Sequence, residues 1–282
     1  MEQFSTLFIF SYLFLLLITA GEAASRWSTK PTKIFVFGDS YADTGNVRIA
    51  SSWKQPYGIT FPGKPYGRFS DGRVYTDYFA KFLGVRSPIP YRAWMKYLGG
   101  KKVYVSGINF AYGGSGVFDT YNNMIVPNMT TQIDFFERLV KESHVITKTD
   151  LQSSVVHVSL AGNDYAMYGV YTNGTFQNTT DHSKIFIVDL YRSFTNVINH
   201  KGAHDNDQAG DDLKFETPLT PCCKGIRNEL ECGDVDANGT KMYTVCSDPK
   251  SSFFWDMVHP TNAGWRAVYA NLKPSLQQFF HF

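Results

Sequence analysis

The chain has 282 residues, 43% hydrophobic and 18% charged, enough to bury a sizeable core in one or two domains. Its 27 basic and 25 acidic residues leave a net charge of +2 with no basic run, which argues against nucleic acid as a partner. The 23 Phe and 17 Tyr supply core first and the lining of an apolar pocket second.

Residues 1–24 read as a targeting segment. Leu7 to Ile18 is an apolar stretch of 12 residues followed by small residues around Gly21-Glu22-Ala23-Ala24, the pattern of a signal-peptide core and cleavage zone. It is shorter than the roughly 20 residues a bilayer span takes, so no stable membrane span is expected. One departure is an amino-terminal region with Glu2 and no Lys or Arg. Residues 25–282 then form a single domain without internal repeats or linker. Sequons at Asn128, Asn173, Asn178 and Asn238 are candidate glycosylation sites, and with the leader they predict a secreted, extracellular glycoprotein.

Along the rest of the chain, apolar runs alternate with helical patterns, as in a mostly parallel α/β sheet. Lys33 to Phe37 predicts a buried strand that Gly38 ends, leaving Asp39 and Ser40 where the strand hands over to a helix. An aromatic, Gly/Pro-rich loop follows from Trp53 to Asp71, then a helix from Tyr75 to Leu83. Val103 to Phe110 predicts a second strand ending in the loop Ala111–Gly116, and Thr131 to Glu142 a helix with Ile133, Phe136, Leu139 and Val140 on one face. Ser153 to Leu160 predicts a third strand, ending in Ala161-Gly162-Asn163-Asp164. Tyr165 to Ser183 reads as a loop-like link. Lys184 to Asp189 predicts a fourth strand, running into an amphipathic helix through Ile198, and a last helix covers Ala263 to Asn271.

All four cysteines, Cys222, Cys223, Cys232 and Cys246, lie within 25 residues. Two local disulfides fit this placement, with three connectivities open, and a zinc site is disfavoured because no Cys-x-x-Cys pair occurs.

Three loops that follow strands carry polar, glycine-rich chemistry: Gly38-Asp39-Ser40, Gly113-Gly114 and Gly162-Asn163. Ligands bind at the carboxyl ends of strands in such a sheet. Ser40 is the candidate nucleophile, His259 its base, and Asp256, three residues earlier, the carboxylate that orients the imidazole. The backbone N–H groups of Ser40 and Gly114 and the Asn163 amide would hold an oxyanion. No Gly-x-Ser-x-Gly elbow occurs. Each residue also has a plainer reading: Ser40 and Asn163 as caps, Gly113 and Gly114 as turn glycines, Asp43 and Asp164 as structural carboxylates, His157 as a packed strand residue. His144, His182, His200, His204 and His281 read as surface residues.

Phe37-Gly-Asp-Ser-Tyr-Ala-Asp-Thr-Gly-Asn46 resembles the first block of the plant GDSL esterases/lipases, a branch of the SGNH-hydrolase superfamily. Gly107 to Gly116 resembles the second block, Leu160-Ala-Gly-Asn-Asp164 the third, and Phe254-Trp-Asp-Met-Val-His-Pro260 the fifth. Pro65 to Arg73 and the cysteine pattern are similar to the plant branch as well. The resemblance implies a three-layer, flavodoxin-like SGNH fold and hydrolysis of a small-molecule or lipid acyl ester through an acyl-serine intermediate, without metal or cofactor; a monomer is expected. It implies Ser40, Asp256 and His259 as the triad and Gly114 and Asn163 as oxyanion donors. Tyr41 departs from the family name, which puts Leu there. Between the third block and Ile185 the family carries another strand and a fourth block that this chain lacks, which predicts a sheet one strand short. A catalytically impaired splice form, an imperfect gene model or a secreted binding protein is therefore the main alternative. A metallophosphoesterase is weaker, since no Asp-x-His ends the first strand and no His follows Gly-Asn.

Overall fold

This computed structural model describes residues 30–48, 50–98, 106–120, 126–142, 146–160, 162–172, 189–200, 202–205 and 211–280. The leader, Asn173, Asn178, Val103 to Val105, Lys184 to Val188, His144, His182 and His281 lie outside the described residues.

Lys33–Gly38 (β1), Ile89–Pro90 (β2), Gly107–Asn109 (β3) and Ser154–Ser159 (β4) form one parallel sheet in the order β2-β3-β1-β4. The central strand β1 is apolar at four successive positions, so both of its faces need cover. Ile34 and Val36 pack beneath helix Tyr75–Leu83 (α1) and the C-terminal helix, alongside Val74, Phe79, Trp265 and Val268. Phe35 and Phe37 face the other way, onto Ile108, Phe110 and Trp94 and helices Tyr91–Leu98 (α2) and Met129–Glu142 (α3). The Phe136 ring lies 5.2 Å from that of Phe35, and Phe110 stacks at 5.2 Å on Phe37. These helix, sheet and helix layers make the three-layer fold.

The remaining helices are Lys148–Gln152 (α4), Gly162–Thr172 (α5), Leu190–Asn199 (α6) and Asn262–Phe280 (α7). Gly202–Asp205 (β5) pairs with Asp211–Lys214 (β6), and Cys223–Gly225 (β7) with Tyr243–Val245 (β8), each antiparallel. Two disulfides, Cys222–Cys246 and Cys223–Cys232, staple the last pair and resolve the connectivity. They pack with Tyr57, Tyr243 and Trp255 in a third buried cluster. Among the described residues no helix is long and apolar enough to cross a membrane.

The elements β2, α2, α4 and β5 to β8 have no counterpart in the sequence expectation, and three expected stretches differ from it. The stretch from Tyr165, expected as loop, continues α5 to Thr172, and its sequence carries no clear helical apolar periodicity. Asp189, expected as a strand end, is the N-cap of α6 and accepts the Arg192 N–H at 2.8 Å. Helix α7 runs past Asn271 and through Pro274. A mid-helix proline costs about 3 kcal/mol, which burial of Leu276 and Phe280, at about 1.5–3 kcal/mol each, offsets.

Candidate active site

Gly38 explains how β1 delivers Ser40. Its φ is +151°, and a β-carbon there would collide with the Ser159 carbonyl, so only glycine lets the strand end lie this close to β4. The Asp39 N–H donates to the Ser159 carbonyl at 3.0 Å, while Ala42 and Asp43 turn back onto the Asp39 carbonyl. Ser40 therefore stands half-buried on the first turn after the sheet edge.

The partner loop is built on one carboxylate. Asp256 Oδ1 accepts the N–H groups of Val258 at 3.0 Å and His259 at 2.8 Å, closing a tight turn that swings the imidazole back over its own carboxylate. His259 Nδ1 then lies 2.9 Å from Oδ1 and 2.8 Å from Oδ2, and Nε2 lies 2.9 Å from Ser40 Oγ. Burial pushes Asp256 upward, but the His259 charge and the hydrogen bonds from His259, Val258 and Tyr57 outweigh it and hold the group at about 2. The loop is pinned from outside, since the Cys222 and Cys223 N–H groups donate to the carbonyls of Phe254 and Trp255 at 2.9 and 2.7 Å. Phe69 stacks 5.0 Å from the imidazole, and the Tyr41 hydroxyl donates to the Val258 carbonyl at 2.8 Å. The residue that departs from the family name thus braces the histidine loop.

Gly114 adopts φ +87° in the loop after β3, and Asn163 opens α5 just beyond β4. The Asn163 amide donates to the Ser115 carbonyl at 2.8 Å, and Ser40, Gly114 and Asn163 line one cleft with Asp256 and His259. That cleft, about 2450 Å³, exceeds a single ligand pocket because it continues along the outer edge of β4.

Asp43 and Asp164 hold backbone. Asp43 accepts N–H groups from Gly45, Asn46, Val47 and Gly113. Burial outweighs those bonds and pushes it up to about 6. Asp164 accepts from Val117 and Phe118. Asp39 is also pushed up to about 6 by burial, against the Tyr41 N–H and the His259 charge. His157 is buried between Tyr75 and Phe79 with no partner for Nε2, and burial holds it down at about 4. His200 is exposed. Among the described residues no group of three or more His, Cys, Asp or Glu is placed to hold a metal ion.

Two residues of the site escaped the sequence reading. Tyr57, in the aromatic loop, donates its hydroxyl to Asp256 Oδ2 at 2.7 Å, and burial together with the Asp256 charge keeps that phenol protonated. Gln132, fully buried on α3, exchanges hydrogen bonds with both backbone groups of Gly38 at 2.9 Å and reaches Ser115 Oγ at 3.0 Å. It ties the end of β1, just before Ser40, to the loop of Gly114. A polar residue inside the amphipathic pattern of α3 was the available signal.

The sequence model of the family described as GDSL-like Lipase/Acylhydrolase matches residues 34–272. GDSL esterase/lipase At5g03610 of Arabidopsis thaliana is 41% identical over 322 aligned positions, covering 88% of this chain and 87% of the relative. GDSL esterase/lipase At3g09930 of the same plant is 37% identical over 350 positions, covering 96% and 97%. Acetylajmalan esterase 2 of Rauvolfia serpentina is 31% identical over 182 positions, covering 57% of this chain and 48% of the relative. For At5g03610, 88% of 282 residues is about 248, so roughly 74 of the 322 aligned positions have no residue in this chain.

Proposed function

The chain belongs to the GDSL family of lipases and acylhydrolases and is a carboxylic ester hydrolase; from that premise we propose that it is a secreted esterase working through Ser40, His259 and Asp256. His259 Nε2 takes the Ser40 proton as Oγ attacks the acyl carbonyl. Negative charge then gathers on the carbonyl oxygen, where the N–H groups of Ser40 and Gly114 and the Asn163 amide receive it. Collapse expels the alcohol, which takes the proton from His259 and leaves an acyl-Ser40. Water, activated by the same imidazole, releases the acid. Asp256 stays ionised throughout and orients the ring.

The observation that carries this reading is the continuous chain from Oγ to Nε2 at 2.9 Å and from Nδ1 to Oδ2 at 2.8 Å. Hydrolysis of 4-nitrophenyl acetate and butyrate tests it beside Ser40→Ala, with folding checked by circular dichroism. The expected loss in kcat is at least about a thousandfold; a folded variant that keeps its activity overturns the assignment. We also place residues 1–24 as a cleaved leader and 25–282 as one hydrolase domain. Asn238, exposed on a turn held by Asp236, is the best presented of the sequons among the described residues, since the half-buried Asn128 spends its amide on Asp119 at 2.8 Å.

A further inference from the structure

A second hollow, about 480 Å³, is lined by Arg48, Tyr91, Arg92, Met95 and Lys96. Arg48 and Arg92 also line the active-site cleft, so the two spaces share a wall. Both arginines are anchored to the turn that supports the oxyanion loop. The Arg92 N–H donates to Asn46 Oδ1 at 3.0 Å. Val47, next to Arg48, donates to Asp43 Oδ2, the same oxygen that takes the Gly113 N–H. Their backbones are thus fixed relative to Gly113-Gly114.

The charge in this hollow is uncompensated. Three of its five lining side chains are cationic and none is acidic. Arg68 and Arg227 have carboxylate partners, Asp77 and Glu229, but among the described residues no ion pair includes Arg48, Arg92 or Lys96. Two of these cations rest on aromatic faces instead, Arg48 at 4.5 Å from the Trp53 ring and Lys96 at 5.2 Å from that of Tyr97. The Asp43 carboxylate is spent on backbone N–H groups. Hydrogen bonding from Arg48, together with the charges of Lys96 and Arg48, holds the exposed Tyr97 phenol below its ordinary range, a sign of the local positive field.

We propose that Arg48, Arg92 and Lys96 form an anion subsite that receives a carboxylate or phosphate group carried by the ester substrate while its acyl carbonyl sits at Ser40. The assignment rests on the esterase reading. Guanidinium groups fit both oxyanions through paired N–H donors. A single exposed ion pair contributes little, so convergence of several cations on one anion is what gives discrimination.

Two measurements test this. The first compares 4-nitrophenyl butyrate with the mono-4-nitrophenyl ester of glutaric acid, which adds a free carboxylate. The ratio of kcat/KM should favour the charged ester by about tenfold at low ionic strength. It should fall toward one in R48Q/R92Q and in about 0.5 M NaCl. A ratio near one in the unmodified protein, or one that survives the double substitution, overturns the subsite. The second needs no turnover. Ser40→Ala protein is titrated calorimetrically with glutarate and with inorganic phosphate. Saturable binding of either, lost when R48Q/R92Q is added, supports the subsite, and the anion that binds distinguishes carboxylate from phosphate. No binding of either anion overturns it. A folded protein that binds anions but hydrolyses neither ester would sink the esterase reading and leave the subsite standing.

Discussion

Tyr57→Phe isolates a single proton. The hydroxyl donates at 2.7 Å to Asp256 Oδ2, the oxygen that also lies 2.8 Å from His259 Nδ1. The ring is buried beside the disulfides, edge-on to Trp255 at 6.0 Å, and phenylalanine keeps that packing. A hydrogen bond to a charged group contributes about 1.5–3 kcal/mol. Without it the carboxylate still accepts the N–H groups of Val258 and His259 and the imidazole. The carboxylate charge released from the phenol then falls on the imidazole and favours its protonated form. If half of the lower figure is redistributed this way, about 0.7 kcal/mol, the acid limb of the pH–rate profile moves up by about half a unit. The remainder appears as a stability loss of roughly 1–2 kcal/mol. The assay is kcat/KM for 4-nitrophenyl butyrate from pH 4.5 to 8.5, with urea unfolding of the same samples. Superimposable profiles would refute the argument, because a purely packing role moves stability and leaves the limb in place.

Asn163→Ala should lower kcat by about a hundred- to a thousandfold if its amide meets the oxyanion, and a loss below about tenfold removes it from that role. His157 is held at about 4 in the fold against 6.5 ordinarily, so the unfolded chain binds a proton that the folded one refuses as pH falls from 6.5 to 4. His157→Phe should therefore gain about 2 kcal/mol on the parent between pH 7 and 5, read as a widening gap in unfolding midpoints; a constant gap contradicts it. Opening the Cys222–Cys246 disulfide with Cys222→Ser and Cys246→Ser should cost about 2–4 kcal/mol of stability, and activity should fall with it because Cys222 and Cys223 hold the Phe254–Trp255 backbone. Activity that persists at a temperature where the variant stays folded would be expected only if that backbone tie is dispensable.

Short-range chemistry was legible in the sequence. Asp256 and His259 are three residues apart, so their contact needs one turn, and Ser40 follows an apolar run whose end Gly38 marks. The helix expected from Tyr75 to Leu83 is found over that span, and Gly84 ends it at φ +74°. Beyond the Ser40–His259 pairing, 219 residues apart, which the nucleophile-and-base logic and the motif resemblance supplied, long-range contacts were not legible. Tyr57 is 199 residues from Asp256, and nothing local separates it from the other 16 tyrosines. Gln132 reaches Gly38 across 94 residues. Asp189 was misassigned because the apolar run before it favoured a strand, whereas its carboxylate was needed for the first turn of α6.

The roughly 74 unmatched positions raise the question of what this chain gave up. Among the described residues the side-chain hydrogen bonds of the candidate triad run between Ser40, the Asp256–His259 turn and Tyr57 of the aromatic loop, and none of them reaches β4. Val156 and Val158 are 55% and 51% exposed, although in register they extend the row of Phe35 and Phe37, which is buried. Among the described residues β4 has a strand neighbour on one side only. Exposed valines beside an open strand edge invite association and lower stability. Inserting the missing segment of At5g03610 at its aligned position should therefore raise the secreted yield and the unfolding temperature while leaving kcat within about threefold, since half a row of side chains is re-covered and the reacting groups do not move. Equal yield and unfolding temperature would show that the shortened sheet has already compensated. A large rise in kcat would instead mean that the lost segment supports the catalytic groups, and the independence of triad and edge argued from these contacts would fail.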